Sequence, residues 1–178
     1  MLNTTATVDF TTVLARLLRD GAARDAYRAN ATALAEVWRV REDDLDAFLA
    51  FDPGELETQA AVLLRKRLDQ VARLIPRTLA ALDEGAWPVF RDYARAHWPD
   101  DDGAGYADAC DFCMAIRQGR PAALCMAEWN RLRFLRGPRL AAIHLTAALP
   151  SPSRPRRALQ LLFRRRNGAW REFLVYAG

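Results

Sequence analysis

The sequence predicts an α+β fold: a mainly helical body followed by a small antiparallel sheet of three strands at the C-terminus. Two observations carry this. Apolar residues recur at helical spacing through the first 136 residues. After Gly137-Pro138 the period shortens to that of a strand, and Asn167-Gly168 stands between two apolar runs as a hairpin turn. The expected division is a helical domain over 1–136 with a β region, 137–178, packed on it.

The elements follow in order. "VDFTTVLARLLRD" sets Phe10, Leu14, Leu17 and Leu18 on one helical face, with Thr7 or Asp9 as cap and Gly21 as breaker. "AARDAYRAN" and "TALAEVWRV" form short helices. "EDDLDAFLAF" follows with acidic residues in its first turn, where the helix dipole favours them. "FDPGELETQ" is the strongest start signal, with Asp52 to cap, Pro53 at the first helical position and Glu55 in the first turn. In the helix it opens, Leu64, Leu68, Val71 and Ile75 make a core stripe, while Lys66, Gln70, Arg73 and Arg77 share a polar face. Pro76 removes a backbone donor and is expected to kink this helix or restart it.

"WPVFRDYARAHWP" and "GYADACDFCMAIRQ" are two further helices around the acidic loop "PDDDGAG". "PAALCMAEWNRLRFLRG" is the last, opened by Pro121 and closed by Gly137-Pro138. "RLAAIHLTAAL" is the first strand. Counting outward from a two-residue turn at Asn167-Gly168 pairs Arg165 with Trp170, Phe163 with Glu172, Leu161 with Leu174 and Leu159 with Tyr176. That mostly apolar set is expected to face the helices. The opposite face pairs Arg164 with Arg171 and Leu162 with Phe173.

A chain of 178 residues, half of them apolar, buries a real core and is not expected to be disordered. Its apolar runs fall short of the roughly 18 residues of a membrane span. "MLNTTATVDF" lacks the basic and apolar regions of a secretory signal, and three cysteines are too few for a disulfide scaffold, so a cytoplasmic location is expected. Charge is uneven. Residues 1–60 hold 6 basic against 11 acidic side chains, 61–104 hold 7 against 7, and 105–178 hold 13 against 4. So basic a tail implies an acidic partner.

Catalytic signatures are missing. Cys110 and Cys113 form a C-x-x-C, with Cys125 beyond, but no second ligand pair follows, and His97 and His144 are the only histidines. Buried, reduced thiols account for the cysteines, and no metal or other cofactor is expected. No G-x-S-x-G elbow, phosphate-binding glycine loop or calcium loop occurs, and Asp100, Asp101 and Asp102 are a solvated loop. Arginines cluster at 131, 133 and 136, at 154, 156 and 157, and at 164 to 166. A solvated face or a binding surface would each explain them. Neither an RNA-recognition sheet nor a helix-turn-helix is recognisable, so a nucleic-acid function would rest on charge alone.

"LARLLRDGAARDAYRAN", "LLRKRLDQVARLIPRT", "FRDYARAHWP" and "AEWNRLRF", in that order, resemble the helical partner proteins of multinuclear non-heme iron-dependent oxidative enzymes, which modify ribosomally made peptides, often at cysteine. The resemblance covers about residues 10–136 and rests on helical patterns, not on one exact motif. It implies a non-catalytic subunit that binds the enzyme as a heterodimer, the precursor peptide, or both. The iron ligands of such systems belong to the enzyme, and none is carried over here. A related group of helical partners is described as DNA-binding, which leaves a DNA-binding or regulatory protein as the alternative. The peptide- or partner-binding residues expected on this basis are Arg164, Arg166, Arg171 and Phe173 of the hairpin and Asn130 and Arg133 of the last helix. An extended peptide is expected to dock beside the sheet, with Arg164 and Arg171 contributing from one surface face.

Overall fold

The computed structural model describes residues 7–99, 105–148, 156–165 and 167–176. The fold is mainly helical with a three-stranded antiparallel sheet at the C-terminus. In chain order the helices are α1 (Phe10–Arg19), α2 (Gly21–Ala29), α3 (Ala31–Trp38), α4 (Glu42–Leu49), α5 (Pro53–Leu74), α6 (Pro76–Leu82), α7 (Ala86–Arg95), α8 (Tyr106–Gly119) and α9 (Met126–Arg136). The strands are β1 (Ala141–Ala148), β2 (Arg156–Arg164) and β3 (Trp170–Tyr176). The acidic loop at Asp100–Asp102, Arg154 and Arg166 lie outside the described residues.

The chain divides into two compact units. The first holds Met1–Lys66 and Arg91–Trp98; the second holds Arg67–Phe90 and Pro99–Gly178. Residues 137–178 therefore share a unit with α6, α8 and α9.

The first three helices of the first unit are short and each is capped by a side chain. Asp9 accepts from the Thr12 amide at 2.9 Å and starts α1. Asp20 ends α1 and also caps α2, accepting from the amides of Ala22 and Ala23. Gly21 is therefore the first residue of α2. A Cβ there would run into the side chain of Arg95, whose guanidinium is held by Asp25 at 2.7 and 2.8 Å. The core gathers Val13, Leu17, Ala23, Tyr27, Ala35, Trp38, Phe48 and Leu56. The buried Tyr27 hydroxyl donates to the Phe48 carbonyl at 2.8 Å, so its polar end is satisfied without water.

In the second unit, α5 ends at Leu74, Ile75 leaves the helical region, and Pro76 takes the first position of α6. The proline restarts the helix, as its missing amide allows. Glu128 of α9 completes the restart. Its carboxylate accepts from the Arg77 amide at 2.8 Å, the Thr78 amide at 2.9 Å and the Thr78 hydroxyl at 2.8 Å. Two of the amides that a helix start leaves unpartnered are thus satisfied. Phe90 and Phe112 meet edge to face at 5.0 Å, both fully buried. The last helix begins at Met126; Pro121 opens only a single turn of 3₁₀ helix, and Leu124 and Cys125 are extended.

The sheet has strand order β1-β2-β3 and packs on α9. Its hairpin register differs from the expected one. Arg164 pairs with Trp170, Phe163 with Arg171, Leu162 with Glu172 and Leu161 with Phe173. The Gly168 amide donates to Arg165 O at 3.0 Å, the Arg165 amide donates to Ala169 O at 2.7 Å, and Gly168 has φ of +81°. This is the three-residue hairpin loop, a turn closed by a left-handed glycine, and not a two-residue type I′ turn. One extra loop residue moves the pairing by one position and turns β2 over relative to β3.

Ala158, Gln160, Leu162 and Arg164 therefore face α9 together with Trp170, Glu172 and Leu174. Leu159, Leu161 and Phe163, expected inward, lie on the outer face with Arg171, Phe173 and Val175. Arg164 and Arg171 do not share a face.

Candidate functional site

Two surfaces of the second unit stand out: the outer face of the sheet, and a groove between α8 and α9.

The outer face is a grid set by the strand register. One row is Ala141, Phe163 and Arg171. The next is Ile143, Leu161 and Phe173. The third is Leu145, Leu159 and Val175. Ile143 is 66 % exposed, Leu145 76 %, Phe173 54 % and Val175 55 %. Alternation along each strand puts apolar residues on both faces, so this face is as apolar as one that packs against a core. Phe163 and Phe173 meet at 6.4 Å, nearly edge to face, across two rows of the grid.

The inner face is anchored by polar groups. Gln160 is fully buried; its Nε2 donates to Ala127 O and to Glu172 Oε1, each at 2.7 Å, and its Oε1 accepts from Asn130 Nδ2 at 3.2 Å. Glu172 also meets Arg131 at 3.4 Å, and Arg131 donates to the Leu74 carbonyl. Arg164 places Nη1 on Gly137 O at 2.9 Å and Nη2 on Phe134 O and Leu135 O at 3.0 and 2.7 Å. It thereby caps the C-terminus of α9, where carbonyls lack partners and a cation is favoured.

The expected site residues thus separate. Asn130 and Arg164 are structural, committed to the α9–sheet junction. The expectation that Arg164 is an open binding residue is corrected: the shifted register aims it inward. Arg171 and Phe173 are exposed on the outer face. Arg166 lies outside the described residues. Arg133 is exposed and belongs to the groove.

The groove has a volume of about 780 Å³. Cys110, Asp111, Met114, Arg117 and Gln118 of α8 form one wall; Trp129, Arg133 and Arg136 of α9 form the other, with Gly137 at its end. These spacings put each set on one face of its helix. Arg133 stacks its guanidinium 5.7 Å from the Trp129 ring, and Arg136 meets Asp111 at 3.8 Å. Alignment of the two faces could have been sought in the sequence from the i, i+4, i+7 sets Cys110, Met114, Arg117 and Trp129, Arg133, Arg136. Their meeting depends on tertiary packing.

The three thiols are buried and free. Burial pushes the Cys110 thiol up, with the Arg136 guanidinium opposing it. Burial raises Cys113 and Cys125 as well. Among the described residues, no three of His, Cys, Asp and Glu come together as a metal site, and no helix is long and apolar enough to cross a membrane.

Residues 49–118 match the family model described as SCO6045-like, C-terminal domain. The match runs from the end of α4 to near the end of α8. It includes the α8 wall of the groove and leaves out α9 and the sheet. No curated protein and no solved structure matches the chain.

Proposed function

We propose that this chain is a non-catalytic partner subunit that binds a multinuclear non-heme iron-dependent oxidative enzyme and presents a ribosomally made precursor peptide to it. The observation that carries the binding role is the outer sheet face. Seven apolar side chains, Ile143, Leu145, Leu159, Leu161, Phe163, Phe173 and Val175, lie there in neighbouring register positions, all but Leu161 exposed. Contiguous apolar surface of this kind marks a protein interface. The identity of the partner rests on the resemblance of the helical segments. The polar edges of β1 and β3 give an extended peptide a place to add a strand, taking affinity from backbone hydrogen bonds. Duplex DNA would need cations on the face it touches, and the centre of this grid has none.

The test is co-purification with a defined partner. A multinuclear non-heme iron enzyme of the peptide-modifying class, sought among the genes next to that of this chain, is mixed with it and analysed by size-exclusion chromatography with light scattering. A heterodimer is expected, lost in the double variant L145D/F173D while circular dichroism shows the fold intact. The enzyme is expected to modify its precursor peptide only when the wild-type chain is present. A complex that ignores the double substitution, or no complex at all, would overturn the proposal.

A further inference from the structure

The groove between α8 and α9 lies on different elements from the outer sheet face, and its chemistry is different. Three guanidinium groups, Arg117, Arg133 and Arg136, border it against one carboxylate, Asp111. Arg136 meets that carboxylate at the long distance of 3.8 Å. Arg117 and Arg133 are exposed and make no ion pair among the described residues. The floor is apolar: Trp129 is only 6 % exposed, Cys110 4 %, and Met114 lies open at 48 %. A concave site of several hundred Å³ with an apolar floor and a few convergent charges has the dimensions and character of a ligand site.

We infer that this groove binds an acidic peptide segment in which carboxylate side chains alternate with apolar ones. The apolar side chains would lie on Met114 and Trp129, and the carboxylates would reach Arg117 and Arg133. Arginine suits this role, because its planar fork takes a carboxylate through two hydrogen bonds. Stacking of Arg133 on Trp129 holds that fork in place before any ligand arrives, which lowers the entropic cost of binding. The groove arginines Arg117, Arg133 and Arg136 lie in the last turns of their helices, where the helix dipole is negative. A singly charged carboxylate is tolerated there better than a doubly charged phosphate. The excess of 13 basic over 4 acidic residues in 105–178 would draw an acidic chain toward the unit. The inference does not require the sheet face to be an enzyme interface, and its test uses this chain alone.

The experiment is a fluorescence-anisotropy titration of the full chain with a short labelled peptide of alternating glutamate and leucine. The comparison probes are a lysine–leucine peptide and a single-stranded DNA oligonucleotide. The acidic peptide is expected to bind with an affinity that falls as salt rises, and both comparison probes are expected to bind much more weakly. R117A/R133A should weaken binding by about tenfold or more, as expected for the loss of charge-assisted contacts. R117K/R133K should restore part of it. R73A/R77A removes the same charge from exposed positions elsewhere and should leave binding unchanged. A peptide carrying a photoactivatable phenylalanine should crosslink to residues within α8 and α9, located by mass spectrometry. Equal loss in R73A/R77A would overturn the site. Crosslinks confined to the sheet would also overturn it. DNA bound as tightly as the acidic peptide would overturn the choice of carboxylate, and absence of peptide binding would overturn the whole inference.

Discussion

Arg67 and Asp108 form a buried, two-pronged ion pair: Nε and Nη2 of the arginine donate to the two carboxylate oxygens at 2.9 and 2.8 Å. The pair ties α5 to α8. Of the three adjacent cations Arg65, Lys66 and Arg67, only Arg67 turns inward; the other two are exposed. R67A is expected to destabilise the fold by about 3–5 kcal/mol, because it leaves a buried carboxylate without its counter-charge. The double change R67M/D108L should recover most of that loss. Urea denaturation followed by circular dichroism measures both, and a mild R67A would mean that the pair contributes little.

Arg164 and Arg171 separate structure from surface. R164A removes three hydrogen bonds from the carbonyls that end α9 and is expected to cost about 1–3 kcal/mol. R171A alters an exposed side chain and should stay within about 0.5 kcal/mol. Equal midpoints for the two variants in urea would contradict the observed register.

Thiol chemistry offers a third check. Burial raises the pKa of all three cysteines, so the reactive thiolate is scarce in the native state. Iodoacetamide at mildly alkaline pH should label the native protein very slowly and label all three positions rapidly in denaturant. Intact-mass spectrometry follows the course. Rapid native labelling of Cys113 would show that the α8–α9 packing opens readily.

His144 makes stability depend on pH. It sits half-buried on the inner face of β1, and burial together with Arg139 and Arg133 lowers its pKa below the ordinary value of 6.5. A histidine with a depressed native pKa binds protons less readily in the folded chain than in the unfolded one. Stability should therefore be undiminished by this group above the unfolded pKa and decline as pH falls from there through the native value. H144N should remove that part of the pH dependence. Urea midpoints measured across mildly acidic pH would decide it, and identical slopes in the two proteins would exclude the effect.

The elements were legible because their signals are local. Asp9, Asp52 with Pro53, and Pro76 each act within one turn of chain, and each starts a helix as expected. The hairpin was legible, but its face was not. Asn-Gly is compatible with both a two- and a three-residue loop, and side-chain direction alternates with every residue, so a shift of one inverts a strand. Gln160 in a core position and Phe163 on the surface also reverse what polarity alone predicts. Arg67 was hidden for another reason: its partner is 41 residues away, and an arginine among other cations reads as part of a solvated face. Of the candidate binding residues, Arg133, Arg171 and Phe173 are exposed, whereas Asn130 and Arg164 had the right chemistry and an inward destination.

The outer grid of the sheet also bears on how much of this chain a cell can hold. Each molecule without a partner displays an apolar face next to two outer strand edges that are unpaired among the described residues, the combination that leads chains to stick to one another. Such molecules are sorted by chaperones and proteases as readily as partly unfolded ones. Synthesis in step with a covering partner would keep the free pool small, and overproduction of this chain alone should yield aggregate in proportion to the excess.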